Sequence, residues 1–240
     1  MTSTNNLINY GTLVLKLFQY NIKVIFANKF IYFLVAAVLF FVMLVTIALF
    51  DDPVMNEALI FGFLMFPGIL LMFYPIAYGI QNDDDSKMLE IIFGIPNYRY
   101  KVWLLRFVMI ILVVLFNLYL LCLLANFTIL QFDIFPMLYR LLFPITFLAS
   151  LGFMLSTLVK SGNGTAIVMV IVGLIFLIFI EPLEYSAWNI FLNPYGEPRD
   201  MNQTIWMQVV LKNRLYLTIG SIVTLLYAMF NLQSREKFVS

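Results

Sequence analysis

The residues best suited to a functional contact lie in one short acidic and apolar segment, positions 83–101. Three aspartates open it, and carboxylates at the start of a helix are stabilised by the helix dipole. An apolar stretch follows, and Gly94 and Pro96 then stop a helix. The candidate contact residues are Asp84, Asp85, Ser86, Lys87, Met88, Leu89, Glu90, Ile91, Ile92 and Pro96. A helix of about two turns with this pattern suits docking into a groove on a cytoplasmic partner. A solvated loop whose apolar residues dip into the membrane interface explains the same residues equally well.

Other kinds of chemistry have few residues to support them. The chain has no histidine, which excludes imidazole bases, a Ser-His triad and most zinc or haem sites. Its one cysteine, Cys122, lies in an apolar run, where a thiol usually acts as a small hydrophobic group. The sequence contains no phosphate-binding loop, nucleophile elbow or zinc-protease motif. We therefore predict no catalytic residue, no metal site and no cofactor on this chain.

The composition indicates which elements must position that segment. Of the 240 residues, 63% are hydrophobic and 11% are charged, whereas soluble domains have about 45–50% and about 25%. A chain of this length cannot bury so much apolar surface in one water-soluble core. A soluble enzyme, a nucleic-acid-binding domain and a disordered chain are excluded, and a polytopic membrane protein is predicted. The net charge of +1 gives no reason to expect nucleic acid as a partner.

Six runs without Asp, Glu, Lys or Arg are long enough to cross a bilayer, which takes about 20 apolar helical residues. They cover 30–50, 58–82, 107–132, 141–159, 161–180 and 215–234. We predict an all-α fold, a single transmembrane domain over residues 1–240. Its six helices are expected at 30–50, 58–80, 105–128, 139–159, 163–181 and 214–233. The sequence Ser161-Gly162-Asn163-Gly164 predicts a tight reversal between the fourth and fifth spans.

The distribution of charge predicts which side of the membrane each segment faces. Basic residues concentrate on the cytoplasmic side. With the N-terminus inside, ten of the 14 Lys and Arg fall on the inner side, and eight of the 13 acidic residues fall outside. Both termini are therefore expected in the cytoplasm of a multi-pass protein of the inner (plasma) membrane. We expect the first span to act as the insertion signal, with no cleaved signal peptide.

Two segments outside the spans are predicted to lie along the membrane surface. Residues 10–29 place lysines opposite an apolar side, which indicates an interfacial helix on anionic lipid headgroups. The alternative is an ordinary basic flank. Residues 181–214 contain Trp188 and Trp206, so we expect short re-entrant helices in the outer leaflet before the last span. The alternative is an aromatic belt that only anchors helix ends.

The second span contains four residues that bend a helix or allow close packing. They are Pro67, Gly68, Pro75 and Gly79. A gating hinge is the functional interpretation, and a static kink is the alternative. Among scattered polar residues in the spans, Asn117, Tyr119 and Thr146 are expected to form hydrogen bonds between helices.

The segment from Asp83 to Arg106 resembles the signature of ABC type-2 transporter permeases. Acidic and small residues come first, then a glutamate in an apolar run, a proline with a polar residue, and a basic residue that opens the third span. The matching residues are Asp84, Asp85, Ser86, the run Leu89-Glu90-Ile91-Ile92, the pair Pro96-Asn97, and Arg106. The acids are aspartates where the family mostly has glutamate, and Lys87 stands where threonine is common. The six spans, interfacial helix, inner termini and long outer connection also agree with this family.

The resemblance implies a mechanism that depends on other chains. Two such permeases, identical or related, would form the pathway. Each would rest on a cytoplasmic ABC ATPase subunit that binds ATP and Mg, with residues 84–93 as the coupling helix. ATP-driven closure of the ATPases would change the packing of the second and fifth spans at the dimer axis. Export of an amphipathic or hydrophobic substrate, such as a drug, peptide or lipid, would follow. The alternatives are a non-transporting scaffold of a motility or secretion machine, and an energy-independent channel.

Overall fold

The computed structural model describes residues 30–50, 55–85, 99–198 and 201–233. Within these ranges the chain is helical, without a strand, which confirms the predicted all-α class. The helices are α1 (Phe30–Phe50), α2 (Glu57–Asp85), α3 (Leu105–Thr128), α4 (Ile134–Val159), α5 (Gly162–Ile178) and α6 (Gln203–Asn231). A π-helical turn, Arg99–Leu104, leads directly into α3. The predicted interfacial helix at 10–29 lies outside the described residues.

Five of these helices are long and apolar enough to cross a membrane: α1, α2, α3, α4 and α6. The fifth predicted span, 163–181, is the exception. Helix α5 has 17 residues, which gives a length of roughly 26 Å at 1.5 Å per residue. A hydrocarbon core is about 30 Å thick, so α5 is apolar but shorter than its neighbours.

Consecutive helices run antiparallel, and the two ends of the bundle can be distinguished by contacts. Near the start of α1, Phe33 stacks on Tyr74 of α2 with ring centroids 4.6 Å apart. Further along α1, Phe40 contacts Phe66, which lies earlier in α2, with ring centroids 6.2 Å apart. At the end where α2 finishes, Asn231 of α6 donates from Nδ2 to the carbonyl oxygen of Thr157 at 2.7 Å. The end of α2, the start of α5 and the ends of α4 and α6 therefore share one side.

Helices α2 and α4 form the centre of the bundle. Helix α2 packs on α1, α3, α4 and α5, while α6 packs along α4. Gly68 permits the close approach of α2 and α4, because a Cβ atom there would lie 2.6 Å from Cδ1 of Ile145. The outer faces of α1, α5 and α6 remain apolar and exposed; Phe50, Ile167 and Phe230 are examples. Apolar faces of this extent fit a surrounding lipid phase or a partner subunit.

The reversal between α4 and α5 takes the form predicted from its sequence. Lys160 ends α4 in the left-handed conformation, with φ 63°. Ser161 then caps α5, its hydroxyl accepting a hydrogen bond from the Gly164 N–H at 3.4 Å. Two residues therefore separate Val159 from Gly162.

The outer connection differs from the predicted pair of short re-entrant helices. Residues 179–191 form successive turns, and residues 203–214 are the first three turns of α6. The side chain of Asn202 caps α6 by accepting from the Thr204 N–H at 2.9 Å. No glycine or proline interrupts 203–214, so the helix runs on into the span. The last helix thus begins about three turns before position 214, where the sixth span was predicted to start.

Polar residues inside the bundle bond differently from the prediction. Asn117 donates from Nδ2 to the carbonyl oxygen of Val113 in its own helix, at 2.7 Å. A hydrogen bond between helices is instead made by Thr224 of α6, which donates to the Ser150 hydroxyl of α4 at 2.9 Å. A short polar side chain in a helix often satisfies itself on the preceding turn, which is why Asn117 needs no partner helix.

Candidate functional site: the junction at the ends of the segment 86–98

An ion pair joins the two helices that flank the segment 86–98. Arg106 near the start of α3 donates from Nη1 to Oδ2 of Asp83 at 2.5 Å, and from Nη2 to Oδ1 at 3.3 Å. The two side chains are 13% and 8% exposed. A two-pronged guanidinium–carboxylate contact fixes orientation as well as distance. Helices α2 and α3 are therefore locked together where the segment leaves one and enters the other.

Trp103 extends this junction to α4. Its ring lies 4.9 Å from Cζ of Arg106, within the range of a cation–π contact. The ring is 1% exposed and packs at 6.3 Å, centroid to centroid, on Phe153 of α4. Phe107 meets the same phenylalanine at 6.0 Å. The start of α3 is thus held on both α2 and α4.

The last turns of α2 also hold the start of α5. The Gln81 side chain accepts a hydrogen bond from the Gly162 N–H at 2.6 Å. One turn earlier, the Tyr78 hydroxyl donates to Oδ1 of Asn163 at 2.9 Å. A displacement of the segment 86–98 would act on the end of α2 and on the start of α3, and through these contacts on α4 and α5.

The structure separates the four predicted hinge residues into two pairs. Pro67 and Gly68 are buried where α2 contacts α4, and a Cβ at Gly68 would collide with α4. By contrast, a Cβ at Gly79 would meet no atom within 4 Å. Pro75 and Gly79 line a cavity of about 10 Å³ beside Trp103, which is about the smallest volume that holds one water. The first pair is suited to close packing, and the second lies beside a small cavity.

The backbone of Pro75 is a second feature that separates the two pairs. The ring of Pro75 removes the N–H that would otherwise donate to the carbonyl of Leu71, which weakens the helix about two turns before the ion pair. Helix α2 is continuous through both prolines, so gating at Pro75 and Gly79 stays a prediction.

The aspartates of the segment are placed differently from the sequence-based interpretation. Asp83, Asp84 and Asp85 are the last residues of α2, rather than the first residues of a separate helix. Carboxylates at a helix C-terminus oppose the dipole. Asp83 is compensated by Arg106, and Gln81 donates to Oδ2 of Asp85 at 3.5 Å.

The remaining residues of the predicted contact lie outside the described ranges. They are Ser86, Lys87, Met88, Leu89, Glu90, Ile91, Ile92 and Pro96. Of the predicted loop, 83–101, the first three residues belong to α2 and the last three to the π-helical turn, and 86–98 lie outside the described residues.

Three residues of the junction were not singled out from the sequence, Tyr78, Gln81 and Trp103, and Gly162 was named only as part of the predicted reversal. Tyr78 and Gln81 are three residues apart and therefore lie on one side of α2. That spacing could have identified a polar stripe near the end of an otherwise apolar helix. Nothing in the sequence indicates that the start of α5 lies against it.

We expect Gly162→Ala to lower the free energy of unfolding by about 1–3 kcal/mol, the usual cost of overpacking. A Cβ at this position would lie 2.5 Å from Cδ1 of Tyr78 and 2.6 Å from Oε1 of Gln81. Gly173 in the same helix provides the matched control, since a Cβ there would meet nothing within 4 Å. Gly173→Ala should leave stability unchanged or raise it by up to about 1 kcal/mol. Unfolding of both variants in detergent measures the difference, and equal stability would argue against the described packing of α5 on α2.

Comparison with protein-family models, with curated proteins and with solved structures finds no match. The likeness of residues 83–106 to the ABC type-2 permease signature therefore rests on those residues.

Proposed function

We propose that this chain is a permease subunit of an ATP-driven exporter, and that a separate ATPase subunit docks on the segment 86–98. The observation that carries the proposal is the Asp83–Arg106 pair, which joins the helices on either side of that segment. Because contacts lead from this pair and from Gln81 into α3, α4 and α5, a push on the segment has a physical route into the bundle.

Six membrane-spanning helices with both termini in the cytoplasm form part of the proposal. Five long apolar helices and one shorter one support it, as do the exposed apolar faces of α1, α5 and α6. Lys160 and Arg106 lie at the end of the bundle where α2 finishes, beside Gln81 and Asp83. That end is the cytoplasmic one by the distribution of basic residues.

The proposed cycle uses Pro75 and Gly79, the pair beside the small cavity. A partner ATPase closing on ATP would displace the segment 86–98 and with it the end of α2. The helix would bend at Pro75 and Gly79, and α5 would move with Gln81. A second permease, identical or related, would contact the exposed apolar face of α5, where Val170 and Leu174 lie. Its substrate would be amphipathic or hydrophobic, because the spans carry few polar groups.

The test is purification of the tagged chain from its native membranes in mild detergent. We expect a cytoplasmic ATPase to co-purify and to hydrolyse ATP in the complex. Recovery with motility or secretion components and without ATP hydrolysis would support the scaffold alternative instead. Passage of solute through liposomes that contain this chain alone, without ATP, would support a channel.

A further inference from the structure

A large cavity with two arginines lies at the other end of the bundle, away from the Asp83–Arg106 pair. It has a volume of about 680 Å³ and is bounded by α4, α6 and the loop 193–198. Arg140 of α4 and Arg214 of α6 both line it. Glu197 is the acidic residue of the lining and is exposed. Two positive charges from different helices therefore face one space.

Aromatic rings hold both guanidinium groups in place. Cζ of Arg140 lies 3.9 Å from the ring centroid of Tyr195. Cζ of Arg214 lies 5.4 Å from the rings of Tyr139 and of Phe143. Contact with a ring face orients a guanidinium and leaves its N–H groups free to donate. Among the described residues, neither arginine has a carboxylate within salt-bridge distance.

The loop that closes the cavity is fixed on two sides. Asn193 donates from Nδ2 to the carbonyl oxygen of Ala58 at the start of α2, at 2.7 Å. Trp206 of α6 donates from Nε1 to the carbonyl oxygen of Pro194 at 3.4 Å. Burial raises the pKa of Tyr195, so its phenol is neutral at physiological pH and does not cancel the charge of Arg140. The arginines are thus held in a formed site, rather than on a free loop.

The cavity continues into an apolar groove along α4. The groove has a volume of about 420 Å³, lies between α3, α4 and α6, and shares Phe143 and Thr218 with the cavity. Val108, Leu112 and Ile222 form its apolar walls. A charged space and an apolar space therefore share part of their lining.

Two features of α4 lie where these spaces meet. Pro144 has no N–H to donate to the carbonyl of Arg140, which weakens the helix between the cavity and the groove. The Oγ1 atom of Thr146 lines the groove and is buried, with no hydrogen-bond partner among the described residues. A buried hydroxyl without a partner is uncommon, and a ligand in the groove would supply one.

We infer that this cavity and groove bind an amphiphile with an anionic phosphate headgroup and an aliphatic chain. The two guanidiniums present several N–H donors in a geometry that suits phosphate oxygens, and the apolar groove accommodates the chain. As a statement about substrate class, the inference rests on the proposed export function. As a statement about binding, it does not, because the site is formed by this chain alone.

The test measures binding to the purified chain in neutral detergent by native mass spectrometry and by thermal shift. The probes are dioctanoyl phosphatidic acid, dioctanoyl phosphatidylcholine and glycerol phosphate. We expect phosphatidic acid to bind at least about 10-fold more tightly than either of the others, because only it combines an exposed anionic phosphate with a chain. Equal binding of phosphatidylcholine would overturn the role of charge. Equal binding of glycerol phosphate would overturn the role of the groove and leave a simple anion site.

Variants assign the binding to the two arginines. Arg140→Gln with Arg214→Gln should weaken binding of phosphatidic acid at least about 10-fold. Lys212→Gln, an exposed cation on the same helix that does not line the cavity, should leave it unchanged. If the double glutamine variant fails to fold, Arg140→Lys with Arg214→Lys provides the second test. It keeps both charges but loses the planar guanidinium groups with their paired N–H donors, so it should weaken binding measurably. Full affinity in a folded arginine variant would overturn the assignment. These measurements use neither ATP nor the ATPase, so they can fail while the exporter proposal holds.

Discussion

Replacing Arg106 with alanine is expected to lower the free energy of unfolding by about 3–5 kcal/mol. The change takes two hydrogen bonds and one opposite charge away from the carboxylate of Asp83, which is 8% exposed. It also removes the cation from the face of Trp103. Breaking one side of a buried ion pair is costly because the remaining charge keeps its desolvation penalty. Chemical unfolding of the purified protein in detergent measures the effect.

Two further variants make the result specific to the pair. Lys212→Ala removes an exposed cation from α6 and should change stability by no more than about 0.5 kcal/mol. The double variant Asp83→Leu with Arg106→Met should recover much of the loss, because apolar residues of similar size often replace a buried pair without cost. An Arg106→Ala variant as stable as Lys212→Ala would mean that the pair does not hold α2 to α3.

The second large effect, on ATP turnover, is expected from substitutions in the segment 86–98 between α2 and α3. Met88→Asp and Glu90→Lys should each reduce ATP turnover by the complex at least about 10-fold, if the segment is the docking element. A central apolar anchor commonly contributes 2 kcal/mol or more to an interface, which is about 30-fold in affinity. Reversing the charge of Glu90 would oppose its partner surface. Turnover of the purified complex in proteoliposomes measures both changes.

A matched charge reversal on the opposite side provides the control. Glu184 is exposed in the turns that follow α5, so Glu184→Lys changes charge as Glu90→Lys does, but far from the proposed docking surface. We expect full turnover in this variant. Normal turnover in both Met88→Asp and Glu90→Lys would place the ATPase contact elsewhere.

Most of the helical architecture could be predicted because it depends on local sequence. Charge-free runs of about 20 residues predict spanning helices directly, since a charge in the hydrocarbon core is costly. The reversal at Ser161 follows from glycine and a capping serine, both local features. The length of α5 was overestimated because apolar residues continue to Ile180, while the turns after Ile178 depend on contacts of the outer connection with α6. Asn213 makes two of these, donating from Nδ2 to the carbonyl oxygens of Ala187 and Asn189 at 3.0 and 2.7 Å.

The partners of the charged residues could not be predicted in this way. Asp83 and Arg106 were both noted in one motif, yet their contact depends on how α2 and α3 end and begin. Arg140 and Arg214 were counted only as outer charges, because 74 positions separate them in the sequence. Their shared cavity depends on the packing of α6 along α4. Hydrophobic periodicity gives the burial of a helix face, but not which neighbour covers it.

The most direct test of the central claim is photo-crosslinking from the segment 86–98. A photoreactive amino acid is placed at position 88 or 90 in the tagged chain, and adducts from native membranes are identified by mass spectrometry. The account predicts that both positions yield an adduct with an ATPase subunit, and that position 184 yields none. Adducts with the ATPase from position 184 but not from 88 or 90, or no ATPase adduct at all, would contradict it.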